Sequence, residues 1–440
     1  MKIISNPSIK KWDKLTQRPI IKQQKLMRTV EKMFYSIDRK GDKAALEYSK
    51  QFDYAEQQQL EVEQSTIENA TNMVSEQLKE AISVAKRNIE TFHISQREEV
   101  KKIETTPGVV CWRESRPIER VGIYIPGGTA PLFSTVLMLA IPAKIAGCSE
   151  IVLCTPPNQQ GEIDPAILYT ANLVGITKVI ALGGIQAIGA MAFGTETVPK
   201  VDKIFGPGNQ YVMAAKNMAQ YFGTAIDMPA GPSEVLIIAD DTCVPEYVAA
   251  DLLSQAEHGP DSQVILLSTN KSIVKTIIKE IEVQLDFLPR KEVATEALKN
   301  SRAIVFKDID ECVNFSNAYA PEHLILAVEN ANLVSNNVMN AGSVFIGNYS
   351  CESAGDYASG TNHTLPTSGF AKSYSGVSLD SFIKKITFQQ ISAEGIQNIG
   401  PSIEIMAEAE QLFAHKNAVT VRLGAVVTPQ LSIEEEETNE

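Results

Sequence analysis

From Val121 onward the chain alternates between short apolar runs and helix-length stretches. The runs are Val121 to Ile125, Ile151 to Cys154, Val179 to Leu182, Val235 to Ile238, Val264 to Leu267, Ala303 to Phe306, Leu324 to Ala327 and Val344 to Ile346. Strand and helix in alternation predict parallel α/β sheets, and eight runs are more than one compact unit needs, so two sheets are expected. The stretch Asp227-Met228-Pro229-Ala230-Gly231-Pro232 is the predicted boundary between them. Before Val121 the pattern is mostly helical. Ser65-Thr66-Ile67-Glu68 has capping-box spacing, and Ile67, Ala70, Val74, Leu78, Ala81, Ala85 and Ile89 form one predicted helix stripe. After about Ser378 the chain reads helical again, with Ile403, Met406, Ala407, Glu410 and Gln411 near its end.

Composition narrows the function classes. With 440 residues, 44% hydrophobic and 21% charged, the chain is long enough for two or three globular domains. The best apolar run, Phe133 to Ala143, is too short for a membrane span and contains Pro142. Met1-Lys2-Ile3-Ile4-Ser5-Asn6 lacks the apolar stretch of a signal peptide, so a cytoplasmic location is expected. The net charge is −13, and five acidic residues sit in the tail, at Glu434 to Glu437 and Glu440. The rest is still acidic, which argues against a nucleic-acid partner. The six cysteines form no C-x-x-C pair and are expected to be reduced.

Candidate chemistry gathers around four of the five histidines. The fifth, His93, ends a helical stretch and reads as a surface side chain. In Leu253-Ser254-Gln255-Ala256-Glu257-His258-Gly259, Gln255 and His258 fall on one helix face, where both can reach one cation. A polar helix cap is the equal alternative. Gly355 to His363 reads as a loop, from which Asp356 can complete a metal site, and His415 can add a fourth ligand. Such a donor set suits zinc or manganese better than magnesium. Pro321-Glu322-His323-Leu324 places two proton-transfer groups side by side at a strand entrance, or else an exposed acid and a capping imidazole. Tyr124-Ile125-Pro126-Gly127-Gly128-Thr129, Gly183-Gly184-Ile185-Gln186 and Gly206-Pro207-Gly208-Asn209 each follow a predicted strand. None completes a dinucleotide or P-loop fingerprint.

Taken together, these blocks closely resemble histidinol dehydrogenases, from about Arg116 to Arg422. The most specific are Leu253 to Gly259, Ala320 to Leu324, Gly355 to Tyr357, Ser359 to His363, Glu408-Ala409-Glu410 with His415, and Ile204 to Asn209. The resemblance implies an α/β fold of two incomplete Rossmann-like domains with parallel sheets, 124–232 and 21–123 plus 233–377. Small helical segments at 1–20 and 378–430 and an acidic tail at 431–440 would flank them. It implies a homodimer in which the C-terminal segment crosses to the partner, so that active sites are shared. One zinc per subunit would be held by Gln255, His258, Asp356 and His415, and NAD would contact Tyr124, Gln186 and Asn209. Ser233, His323, His363 and Glu410 would contact the substrate, L-histidinol, besides the metal ligands. His323 would be the base for alcohol oxidation and Glu322 the activator of water in the aldehyde step. A zinc hydrolase on the same ligands, or a non-enzymatic nucleotide-binding or scaffold protein, are the other readings.

Overall fold

The structure is a computed structural model that describes residues 1–19, 23–53, 57, 59–127, 131–176, 178–229 and 231–424, with the backbone only at 23–25. Gly128 and Thr129 of the first glycine turn, and the acidic tail 431–440, lie outside the described residues. The chain divides into two compact units, Met1–Arg97 with Pro117–Ile383, and Glu98–Arg116 with Lys384–Glu440.

The first unit contains two parallel sheets. One runs in the order Lys178–Ala181, Glu150–Thr155, Arg120–Tyr124, Lys203–Phe205, Ala225–Ile226. Numbered along the chain, that order is 3-2-1-4-5, the Rossmann order without its sixth strand. The other sheet repeats it with Arg302–Val305, Gln263–Ser268, Glu234–Ala239, His323–Ala327 and Ser343–Ile346, and adds Lys2–Ser5 at its outer edge. All eight apolar runs therefore become strands, in two incomplete Rossmann-like sheets.

Side-chain alternation within each strand explains the layering. Val121, Ile123, Leu153 and Val179 join the apolar faces of helices Glu76–Ile94 and Phe133–Ala146 in one core. Tyr124, Val152, Cys154 and Ile180 face the other way, toward Val30, Phe34 and Ile37 of helix Gln23–Lys40 and toward helix Gly184–Phe193. The six-stranded sheet is covered in the same manner. Val235, Ile237 and Leu266 pack on helices Pro245–Ala256 and Lys271–Leu285, whereas Leu236, Ile238 and Leu267 pack on helix Ile309–Tyr319.

Several expectations are corrected. Residues 1–20 are not wholly helical, because Lys2–Ser5 pairs in parallel with Arg302–Val305. Residues 23–52 pack on the five-stranded sheet rather than with the sheet of 233–377, since their apolar stripe is buried against Tyr124 and Ile180. The predicted stripe from Ile67 to Ala85 and Ile89 is broken. Gln64–Asn69 ends in a 3-10 turn, and a new helix starts at Glu76, where the Ser75 hydroxyl accepts the Leu78 N–H. The Ser65 to Glu68 box caps nothing, as Glu63 stands at the N-cap. In the second unit, Ile383–Ile391 is a strand where helix was expected. It forms a three-stranded sheet with Val109–Pro117 and Ile103–Thr106. Residues 98–116 thereby belong with the C-terminal segment. Two helices, Ala393–Ala409 and Phe413–Thr420, complete that unit.

Candidate functional site

Glu322 and His323 stand at the amino end of a central strand of the six-stranded sheet, and Ser233 and Glu234 at the amino end of its neighbour. Helices of a doubly wound sheet run antiparallel to its strands, so the helix Pro245–Ala256 delivers Gln255 and His258 to the same edge. The site thus occupies the edge opposite to the one where such sheets ordinarily bind ligands. The negative end of that helix favours a cation there.

The predicted residues of this unit converge. His258, Glu352 and Asp356 present ligand atoms within 4.8 Å of one another. Asp356 lies in a short helix, Glu352–Tyr357, rather than in the expected loop, which begins only at Ala358. Glu352 is almost fully buried, and the sequence reading missed it. The Gln255 amide oxygen faces the Glu352 carboxylate, and its nitrogen donates to Glu322 Oε2 at 3.5 Å. His323 Nε2 is buried without a hydrogen-bond partner and stands 3.7 Å from Asp356 Oδ1. His323 Nδ1–H donates to the Glu234 carbonyl at 3.1 Å, and the Glu234 N–H donates to Glu322 Oε2 at 2.8 Å. His363 donates from Nδ1 to the Asp356 carbonyl at 2.9 Å, and its Nε2 accepts from the Thr135 hydroxyl at 3.0 Å. Glu410 and His415 belong to the second unit, at the corner between its two helices.

The electrostatics of this cluster call for positive charge. Burial pushes the Glu322 carboxyl up to about 8, and it pushes Glu352 up as well. Burial alone would lower His323, but the carboxylates of Glu322, Glu352 and Asp356 outweigh it and raise the imidazole. Burial would likewise raise Asp356, yet the nearby imidazoles of His323, His363 and His258 hold it below the usual carboxylate range. His258 is lowered by desolvation against the pull of Asp356. A divalent cation would supply the positive charge that three crowded carboxylates lack, and it would give the Gln255 oxygen, which faces the Glu352 carboxylate, a partner. Imidazole nitrogen with amide and carboxylate oxygens is a donor set that fits zinc.

His93 is not a surface residue. It is fully buried, its Nδ1–H donates to the Ile89 carbonyl at 2.9 Å, and Nε2 faces the Asn362 amide at 3.5 Å. Asn362 in turn donates to the Met138 carbonyl at 2.5 Å, and Asn88 to the Ala358 carbonyl at 2.8 Å. Helix Glu76–Ile94 therefore pins the loop that carries His363.

A separate cleft of about 1680 Å³ opens at the carboxyl edge of the five-stranded sheet, and Tyr124, Gln186 and Asn209 all line it. The Tyr124 hydroxyl accepts the Gly184 N–H at 3.0 Å. Gln186 donates to Asp53 at 3.1 Å. Asn209 caps helix Gln210–Tyr221, accepting from the N–H groups of Tyr211 and Val212, so its amide N–H remains for a ligand. The turn at Gly206 requires glycine, because φ is +136° and a Cβ would strike the Tyr124 carbonyl. Below it, Lys216 and Asp227 form a buried ion pair that grips Gly206 from both sides. Lys216 donates to its carbonyl at 2.8 Å, and Asp227 accepts its N–H at 2.9 Å. The orphaned, buried Thr155 hydroxyl at the end of Glu150–Thr155 is a further polar group at this cleft. Size, position at the carboxyl edge and the uncommitted Asn209 amide N–H fit a dinucleotide.

Among the described residues, no helix is long and apolar enough to cross a membrane. A model of the histidinol dehydrogenase family matches residues 16–423. A histidinol dehydrogenase of Bacteroides thetaiotaomicron is 58% identical over 97% of this chain and 100% of its own length. One of Escherichia coli strain K12 is 52% identical over 94% and 95%. The crystal structure of histidinol dehydrogenase from Elizabethkingia anophelis superposes with a TM-score of 0.94 at 62% identity, covering 96% of this chain and 98% of that one. The chain therefore belongs to the histidinol dehydrogenase family, oxidoreductases of histidine biosynthesis.

Proposed function

We propose that the chain oxidises L-histidinol to L-histidine through L-histidinal with two NAD, as a zinc-containing cytoplasmic homodimer. The observation that carries this reading is the orientation of His323. Its Nδ1–H is committed to the Glu234 carbonyl, so the buried Nε2 is the nitrogen at which a proton is gained or lost, and it stands 3.7 Å from Asp356 Oδ1. His323 Nε2 takes the alcohol proton in the first half-reaction. Glu322, made a stronger base by burial, takes a proton from water as it adds to the aldehyde. Gln255, His258, Asp356 and the partner-supplied His415 would hold zinc, with Glu352 beside them. When bound there, zinc would supply an anchor for the amine and imidazole of the substrate, so that its carbinol is oriented toward His323. Ser233, His363 and Glu410 complete the substrate contacts. Tyr124, Gln186 and Asn209 would hold NAD, which would supply the hydride acceptor of each half-reaction.

The test is NADH formation from L-histidinol by the zinc-loaded protein. Chelation should abolish it and added zinc restore it. Full activity in protein holding well under one metal per chain contradicts the metal assignment. A hydrolase on the same ligands would produce no NADH at all.

A further inference from the structure

Arg18, in the extended segment after helix Trp12–Leu15, reaches Glu234 far along the chain. Its Nε donates to Oε1 and its Nη2 to Oε2 of Glu234, each at 2.9 Å, a bidentate fork. Nη2 also donates to the Tyr319 carbonyl at 2.8 Å, and the guanidinium lies over the Tyr319 ring at 3.6 Å. The Tyr319 hydroxyl is itself fixed on Gln263 at 2.9 Å. Glu234 Oε1 accepts a further bond from the Ser368 N–H at 2.8 Å. The Glu234 side chain is therefore fully engaged on the side of Arg18 and Ser368, and it is 1% exposed. Its backbone does something different. The N–H of residue 234 holds Glu322, and its carbonyl holds His323.

We propose that Arg18 is a positioning residue for the oxidation. By clamping the Glu234 carboxylate, it fixes the two peptide groups that orient Glu322 and His323. This inference rests on the roles assigned to those two residues above. A buried ion pair adds little net stability compared with apolar residues of the same shape, so stability alone does not account for a charged fork here. Angular control does. A proton-transfer group displaced by about 1 Å can lose about a hundredfold in rate even when the change lies outside the reacting shell. Lysine could keep the charge but not the two parallel bonds.

The experiment uses the full chain loaded with zinc. Arg18→Met should lower kcat about tenfold or more in both half-reactions, with KM for NAD and zinc content within about twofold of the parent. Arg18→Lys should fall between the two. Because Arg18→Met leaves the Glu234 carboxylate buried and unpaired, Arg18→Met with Glu234→Gln supplies a folded alternative, and it should show the same loss of kcat. In a His323→Asn background, Arg18→Met should cost the L-histidinol half-reaction less than about threefold more, since its effect on that step passes through that side chain. Folded Arg18 variants that keep kcat within twofold, or losses that simply multiply with that of His323→Asn, overturn the proposal. If His323→Asn and Glu322→Gln with Arg18 intact keep full activity, the assignment of those two residues fails and the proposal falls with it. That result is separable because it appears in chains whose Arg18 is unchanged.

Discussion

Glu234 holds His323 through its backbone: the carbonyl of residue 234 accepts the Nδ1–H of His323 at 3.1 Å, which leaves Nε2 as the basic nitrogen. The N–H of the same residue holds Glu322 at 2.8 Å. Two adjacent side chains are thus turned into one site by one residue of the neighbouring strand. Their roles separate experimentally. Replacing His323 with asparagine should slow oxidation of L-histidinol by about a hundredfold or more. Glu322→Gln keeps the shape but cannot accept a proton from water, so it should slow oxidation of added L-histidinal far more than the first hydride transfer. Equal losses in both half-reactions contradict this division.

The cofactor cleft should discriminate against a 2′-phosphate. Asp53, Glu61, Glu63, Glu162 and Asp164 line it, and no Lys or Arg does among the described residues. Glu61 pairs with Lys178 at 3.6 Å, and the other four leave the lining acidic. A phosphate monoester carries about two negative charges near neutrality. Like charges at close range cost several kcal/mol, so kcat/KM with NADP should be at least about a hundredfold below that with NAD. Use of NADP within tenfold of NAD contradicts the placement.

Cysteine chemistry is not expected in the aldehyde step. Burial pushes Cys148 and Cys243 up to about 11 and Cys312 up to about 12, and raises Cys154 still further. Raised values keep these four as thiols through neutral pH, and the reactive thiolate becomes abundant only as pH climbs toward those values. Native protein at pH 8 should therefore consume no more than two equivalents of an alkylating reagent per chain, at the partly exposed Cys111 and Cys351. Rapid consumption of four or more would show accessible thiolates that this packing does not allow.

The fold was legible where burial is dictated by composition and hidden where it depends on distant partners. The eight apolar runs became strands because a strand buried on both faces needs an uninterrupted apolar sequence. Lys2–Ser5 is too short to carry such a signal. Ile383–Ile391, with polar Lys384, Lys385, Gln389 and Gln390, is an edge strand of a three-stranded sheet and buries no residue fully, so it carries no apolar run. Gln255, His258 and Asp356 stood out as ligand types in a chain with few histidines. Glu352, Glu234 and Arg18 did not, since a buried charge looks like a surface charge until its partner is found far along the chain. His93 was misread for the same reason, because Asn362 and the loop around it supply its cover.

The proposed sharing of sites between subunits predicts complementation. His323→Ala and His415→Ala, each inactive alone, should restore activity when co-expressed, because in a mixed dimer one site takes both lesions and the other takes none. Random pairing makes half the dimers mixed with one working site in two, so about a quarter of parental activity is expected for a two-fold dimer. No recovery in a verified mixed dimer would place His415 in the site of its own chain.

The most direct test of the central claim is the stoichiometry of the complete reaction. L-histidinol should be supplied to the zinc-loaded protein with excess NAD, and NADH, L-histidine and free L-histidinal counted together. Two NADH per L-histidine, with no accumulation of free aldehyde, is the predicted result. One NADH per substrate consumed, with L-histidinal released as the product, would contradict it.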